Sequence, residues 1–219
     1  MVSLDPAMVE IAALSLQVTV TALVISTLLG IPLGSWFALT HFPGKRIFTA
    51  FIYTGMGLPP VVVGLVVFLL LSRSGALGNL GWLFSFQAMV VAQVIIATPL
   101  IIGVTMSSVM SVDPSLRSQI RALGATPRQA TVTVLLEARF GIIVGLVAGF
   151  GAIISEVGAV MLVGGNIAGR TRVMTTAIVL ETRQGHFDFA LALGMILLLI
   201  AFTTNLMLVV LQGRSGKIL

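Results

Sequence analysis

Apolar residues run through this sequence in stretches too long for an ordinary soluble helix, with short polar segments between them. Five of them, 11–39, 47–71, 86–110, 140–163 and 189–211, reach about the 20 residues that a helix needs to cross a bilayer's hydrocarbon. Each predicts a membrane-spanning helix. The first carries Ser15, Gln17, Thr19 and Thr21, polar for a lipid-facing surface and suited to meeting protein. Its Gly30 and Gly34, four residues apart, let another helix approach closely. The second is interrupted by Gly55, Gly57 and the tandem Pro59-Pro60. Two consecutive prolines remove two backbone donors and bend or unwind the helix. Irregular backbone at membrane depth is tolerated where it is buried in protein or lines an aqueous cavity. Pro59 and Pro60 therefore mark either a packing kink or the wall of a transport path. The third stretch contains Gln93 and Thr98-Pro99, and the fourth has glycines at 141, 145 and 149. The fifth is nearly all aliphatic, with Thr203, Thr204 and Asn205 near its middle, where small polar groups bond across helices.

A polar island, 113–139, separates the third and fourth stretches. Asp113-Pro114 reads as an N-cap followed by proline at the first helical position. Leu116, Ile120 and Leu123 then share one face, with Arg117 and Arg121 beside them. Gly124 ends that helix, since glycine takes positive φ without steric cost. Thr126-Pro127 repeats the start, and a second helix runs through Arg128 toward Glu137 and Arg139. Two short helices joined at a glycine corner make a rigid knob. Arg117, Arg121 and the run Ala122-Leu123-Gly124-Ala125-Thr126-Pro127-Arg128 are its candidate surface for passing force to a partner.

Composition agrees with a membrane protein. The chain is 58% hydrophobic and 9% charged, against about 25% charged in soluble domains, and its mean hydropathy is +1.14. With no cysteine there are no disulfides or thiolate metal sites, and His41 and His186 alone make a multi-histidine site improbable. The sequence pI near 11.1 does not point to nucleic acid, because the basic residues sit at the ends of spans. Lys45, Arg46, Arg117, Arg121, Arg128, Arg139, Arg214 and Lys217 fall on one side of a five-span layout. Arg73, Arg170, Arg172 and Arg183 fall on the other. The positive-inside rule then puts the N-terminus outside and the C-terminus and the knob in the cytoplasm. Residues 1–10 lack the basic region of a signal peptide.

Candidate chemistry concentrates in 155–182. Ser155-Glu156-Val157-Gly158-Ala159 leads to Gly164-Gly165-Asn166, then Gly169-Arg170-Thr171-Arg172 and Thr175-Thr176. A glutamate in an apolar run is costly and is retained for function or pairing. Two roles are open to Glu156: an ion pair with Arg170 or Arg172 that locks a helix end, or a gate on a solute path. Motifs for chemistry are missing. Gly213-Arg214-Ser215-Gly216-Lys217 lacks the spacing of a phosphate loop, and there is neither a His-Glu-x-x-His nor a Gly-x-Ser-x-Gly. An intramembrane hydrolase is accordingly the weaker reading. A secondary, ion-coupled transporter predicts paired intramembrane carboxylates or an internal repeat, and Glu156 stands alone with no convincing repeat.

Three segments resemble a known family. Ala122-Leu123-Gly124-Ala125, with the nine residues from Ala125 to Thr133 and then Val134-Leu135-Leu136, is similar to the cytoplasmic coupling loop of ABC-importer permeases. Ser118-Gln119-Ile120 replaces that loop's Glu-Ala-Ala, and Glu137 stands at its proline. The stretch from Leu58 to Gly64, with Ser72-Arg73-Ser74-Gly75-Ala76-Leu77-Gly78, resembles permeases of molybdate-type oxyanion importers. The run from Ser155 to Ile178, with Glu181-Thr182, resembles sulfate, molybdate and tungstate permeases, most of all the tungstate branch, where Glu137-Ala138-Arg139 is also familiar. The resemblance covers about Leu14 to Gln212.

The resemblance implies an all-α integral membrane fold of the type I ABC importer permease, with five transmembrane helices and a coupling loop at 113–139. The implied function is ATP-driven oxyanion import, with tungstate first and molybdate, sulfate or another solute such as methionine as alternatives. It implies a homodimer with the path on the two-fold axis, set in the lipid of a bacterial or archaeal cytoplasmic (inner) membrane. A cytoplasmic ABC ATPase dimer would bind ATP and Mg, so this chain would bind no cofactor or metal and have no catalytic residue. A periplasmic or extracellular oxyanion-binding protein would deliver the anion. On the path it implies Pro59, Pro60, Glu156, Gly158, Asn166, Gly169, Arg170, Thr171, Thr175 and Thr176. Backbone amides near Gly164-Gly165-Asn166 and the hydroxyls of Thr171, Thr175 and Thr176 are expected as transient donors to the anion.

Overall fold

The structure is a computed structural model that describes residues 6–213; Asp5, Arg214 and Lys217 lie outside the described residues. Those residues are helical or irregular, with no strand among them. α1 (Pro6–Leu39) starts on a proline, whose fixed φ suits a first turn. α2 (Lys45–Met56) and α3 (Pro60–Leu71) meet at 98° across the Gly57-Leu58-Pro59 break. α4 (Phe86–Met110) follows a loop carrying one turn of 3-10 helix, Gly78–Leu80. α5 (Pro114–Ala122) and α6 (Pro127–Glu137) form the knob, and α6 turns by 62° into α7 (Arg139–Ile154). α8 (Gly158–Gly164), α9 (Met174–Gln184) and α10 (Phe187–Gly213) complete the order.

By length and composition α1, α4 and α10 can each cross a membrane, and the count rises to five if each bent pair forms one span. The apolar stretch 140–163 is not one helix: it stops at Ile154 and resumes at Gly158. α9 lies where the apolar pattern gives no sign of a span. It opens where Thr176 Oγ1 accepts from Val173 N–H at 3.1 Å and closes on Gly185, at φ +83°.

The core is built around α4, where Met89, Ile101 and Met106 are fully buried. Two neighbours reach it through small residues. A β-carbon on Gly30 of α1 would lie 2.6 Å from Ile101 Cγ2, and one on Gly145 of α7 would lie 2.8 Å from Val104 Cγ1. Only glycine lets both backbones come so close. A second cluster joins Phe150 and Ile154 of α7, Met174 and Ala177 of α9, and Leu193 of α10. α10 is otherwise bare, with 6% of its apolar window buried, so lipid or another chain must cover it.

Candidate functional site

The knob is fastened at its base and bare at its tip. Asp113 Oδ1 accepts from Ser115 N–H at 2.8 Å, and hydrogen bonds from Ser115 hold this carboxyl below the ordinary aspartate value of 3.8. α5 closes with Gly124 N–H on Arg121 O at 3.0 Å and Ala125 N–H on Ile120 O at 3.2 Å. Gly124 makes the corner at φ +91°, in open space. Thr126 and Gln129 form a capping box, with Gln129 N–H on Thr126 Oγ1 at 3.3 Å and Thr126 N–H on Gln129 Oε1 at 2.8 Å. Leu116 and Ile120 are half-buried as their shared face requires, but Leu123 is 89% exposed. Arg121, Ala122, Thr126, Pro127 and Arg128 are exposed around it, and Ala125 is half-buried. Arg117 Nη1 donates to Leu39 O at 3.3 Å, placing a cation where the α1 dipole is negative. Val134 and Ala138 anchor α6 in a cluster with Val109 and Ile142.

From Leu39 back to Ser15, α1 rises roughly 36 Å, and near Ser15 lies the second region. Two helix breaks meet there. α3 begins after the break at 57–59 and α8 after the break at 155–157. Their first turns touch: a β-carbon on Gly158 would lie 2.5 Å from Val61 Cγ2, and one on Gly64 would lie 2.5 Å from Ala159 Cα. Gly57, Leu58, Pro59 and Ser155 are exposed, while Pro60, Glu156 and Gly158 are half-buried.

Glu156 turns back on its own chain. Its Oε1 accepts from Ala159 N–H at 2.9 Å, covering a donor that the start of α8 leaves free. Neither Arg170 nor Arg172 pairs with it; a carboxylate–imidazole contact elsewhere joins Glu181 Oε2 to His186 Nδ1 at 2.9 Å. Arg170 is exposed. Arg172 is half-buried and, with Glu10, lines a cavity of about 120 Å³. Asn166 (φ +51°) and Gly169 (φ +69°) turn the loop between α8 and α9, and Asn166 Oδ1 accepts no hydrogen bond from the protein.

The three threonines expected to offer hydroxyls to an anion are buried and already donate. Thr171 Oγ1 donates to Gly164 O at 2.6 Å, Thr175 Oγ1 to Glu156 O at 2.8 Å and Thr176 Oγ1 to Val173 O at 3.0 Å. A hydroxyl has one proton, so none of the three has one to offer in this conformation. Two residues outside the expected anion path, Ser15 and Gln93, join them. Ser15 Oγ accepts from Met174 N–H at 2.7 Å. Gln93 Nε2 donates to Ile153 O at 3.0 Å. Their signal in the sequence is polarity inside an apolar helix, which shows that a residue meets protein and not which backbone group it serves. Together these bonds fasten the irregular backbone around the 155–157 break and along the loop from α8 to α9, as buried non-helical chain requires.

Comparison with known proteins fits this architecture. The family described as binding-protein-dependent transport system inner membrane component is matched over residues 30–216. A probable anion ABC transporter permease protein of Haloferax volcanii is 44% identical, over 90% of this chain and 88% of the relative. The tungstate uptake system permease protein TupB of Peptoclostridium acidaminophilum is 39% identical, over 97% of this chain and 93% of the relative. In fold, the chain resembles one from a bacterial alginate ABC transporter in complex with alginate pentasaccharide-bound periplasmic protein. The TM-score is 0.78 at 21% identity, over 97% of this chain and 81% of that one. This chain is thus a member of the binding-protein-dependent transport system inner membrane components, an all-helical permease subunit that moves solute and is not an enzyme.

Proposed function

We propose that the chain is the permease of an ATP-driven oxyanion importer whose cargo is tungstate. It works as a homodimer with the anion path on the two-fold axis. The knob faces the cytoplasm, where an ABC ATPase dimer holding ATP and Mg grips Leu123 and the arginines beside it. The N-terminus lies outside, where a binding protein delivers the anion, and the C-terminus is cytoplasmic. The membrane is the inner membrane of a bacterium or archaeon. Kinship supports the cargo: the Peptoclostridium relative is named for tungstate and the Haloferax relative for an anion.

The observation that carries the reading is the meeting of two helix breaks around a half-buried carboxylate. Broken helices at membrane depth are the usual wall of a solute path. Pro59, Pro60, Gly158 and Glu156 form that wall, and Asn166, Gly169, Thr171, Thr175 and Thr176 hold the loop above it. Exposed Arg170 draws the anion toward the mouth. Glu156 is the gate. Its negative charge, held on Ala159 N–H, opposes a dianion until ATP-driven closure of the knobs moves α7 and α8 apart from α3. Binding along the path is weak, as release requires.

The test is uptake by liposomes holding the permease, its ATPase and its binding protein, with tungstate, molybdate and sulfate compared. Glu156→Gln should change uptake by about tenfold or let anion leak without ATP, the effect of one removed charged contact. Unchanged rate, coupling and selectivity would remove Glu156 from the path. Preference for molybdate or sulfate would reassign the cargo.

A further inference from the structure

We infer that Gln93 is a positioning residue: acting through the Ile153 carbonyl, it keeps the break between α7 and α8 open and so sets where Glu156 stands. No proline marks a break in the local sequence. Ala152-Ile153-Ile154-Ser155-Glu156-Val157 contains neither glycine nor proline, with Gly151 and Gly158 flanking it, and the apolar run continues on both sides. In an uninterrupted helix Ile153 O would accept from the N–H of Val157, four residues on. Here Glu156 N–H reaches it at 3.3 Å, and Gln93 Nε2 reaches it at 3.0 Å. Gln93 is 3% exposed and comes from α4, sixty residues away in sequence. Across the break, Thr175 Oγ1 holds Glu156 O at 2.8 Å.

Two arrangements of the segment therefore compete. With the break, Ile153 O serves Glu156 N–H and the Gln93 amide together. In a continuous helix the carbonyl would turn along the helix axis toward Val157 N–H, away from the α4 amide, and a buried donor would have to follow it or go unpaired, which is costly. Gln93 tips the choice toward the break. Packing alone does not explain an amide here, because its Oε1 accepts nothing from the protein and methionine would fill the same space without a polar group. If the helix became continuous, Glu156 would leave its cap on Ala159 and take a helical register. The consequence for transport rests on Glu156 being the gate; control of the break does not.

The chain has no cysteine, so Ser155→Cys gives a single exposed thiol beside the break. Its labelling rate by a membrane-impermeant methanethiosulfonate is measured in the assembled complex in liposomes. Gln93→Met should shift that rate about tenfold, the equivalent of one buried hydrogen bond. Gln93→His, which retains a ring N–H, should keep the original rate, and this rescue would not follow from packing alone. In uptake, Gln93→Met added to Glu156→Gln should do no more than the worse single change, since both act on one element. A labelling rate that moves by less than about twofold in Gln93→Met, or equally in Gln93→Met and Gln93→His, overturns the inference. If labelling shifts as described while Glu156→Gln leaves uptake intact, the gate reading fails and the control of the break stands.

Discussion

The contact between α3 and α8 gives the sharpest test of the path. Replacing Gly64 with alanine puts a β-carbon 2.5 Å from Ala159 Cα and 3.1 Å from both Ala159 Cβ and Ala159 O. Ordinary contact begins near 3.4 Å, so the two helices must part by about 1 Å, and the neighbour is backbone that no rotamer change can move aside. Overpacking of this kind costs about 1–3 kcal/mol. Gly151→Ala in α7 is the internal control. A β-carbon there meets nothing within 4 Å, and alanine favours a helix interior over glycine by roughly 0.5–1 kcal/mol. The two variants carry the same chemical change and should move in opposite directions. Thermal unfolding of the purified complex reads stability, and anion uptake in liposomes reads the path. Gly64→Ala should lower the first and change the second, while Gly151→Ala should hold or raise the first and spare the second. Equal behaviour of the pair would refute close α3–α8 packing as the feature that shapes the path.

Three further outcomes follow from other contacts. Gly124→Ala meets no atom but must adopt φ +91°, a strain of about 1–2 kcal/mol; transport-linked ATP hydrolysis should fall while the complex still assembles, and unchanged coupling would show the corner to be dispensable. Thr171→Val removes bonds to Gly164 O at 2.6 Å and from Ile167 N–H at 3.0 Å, so loop 165–173 should become about tenfold more sensitive to limited proteolysis, with Thr171→Ser near the parent. The Asp113 carboxyl titrates below 3.8, so its contribution to the α5 cap is complete above that value and is lost as pH falls through the lowered one. Coupling should therefore show no Asp113-dependent change between about pH 5 and 8, and Asp113→Asn, which still accepts at an N-cap, should preserve it where Asp113→Ala does not.

The knob was legible in the sequence because its signals are local. Asp113-Pro114, Gly124 and Thr126-Pro127 each fix backbone within a few residues, and the structure has caps and a corner at those positions. The break at 57–59 was legible for the same reason, through Pro59 and Pro60. The break after Ile154 was not, since the donors beside it come from Gln93 and Thr175, distant in sequence. The hydroxyls of Thr171, Thr175 and Thr176, expected as transient donors to an anion, are bonded within the chain in this conformation. Threonine at membrane depth announces a hydrogen bond but not its acceptor, and here all three acceptors are carbonyls of the chain itself.

Leu123 stands 89% exposed at the tip of the knob, among the exposed Arg121, Ala122, Gly124, Thr126 and Arg128. An aliphatic side chain held in water is stabilised when a partner covers it. In the proposed assembly the motor subunit is that cover, so a permease subunit made without it keeps the leucine in water. If docking is as proposed, supply of the two chains in matched amounts is what keeps this side chain covered.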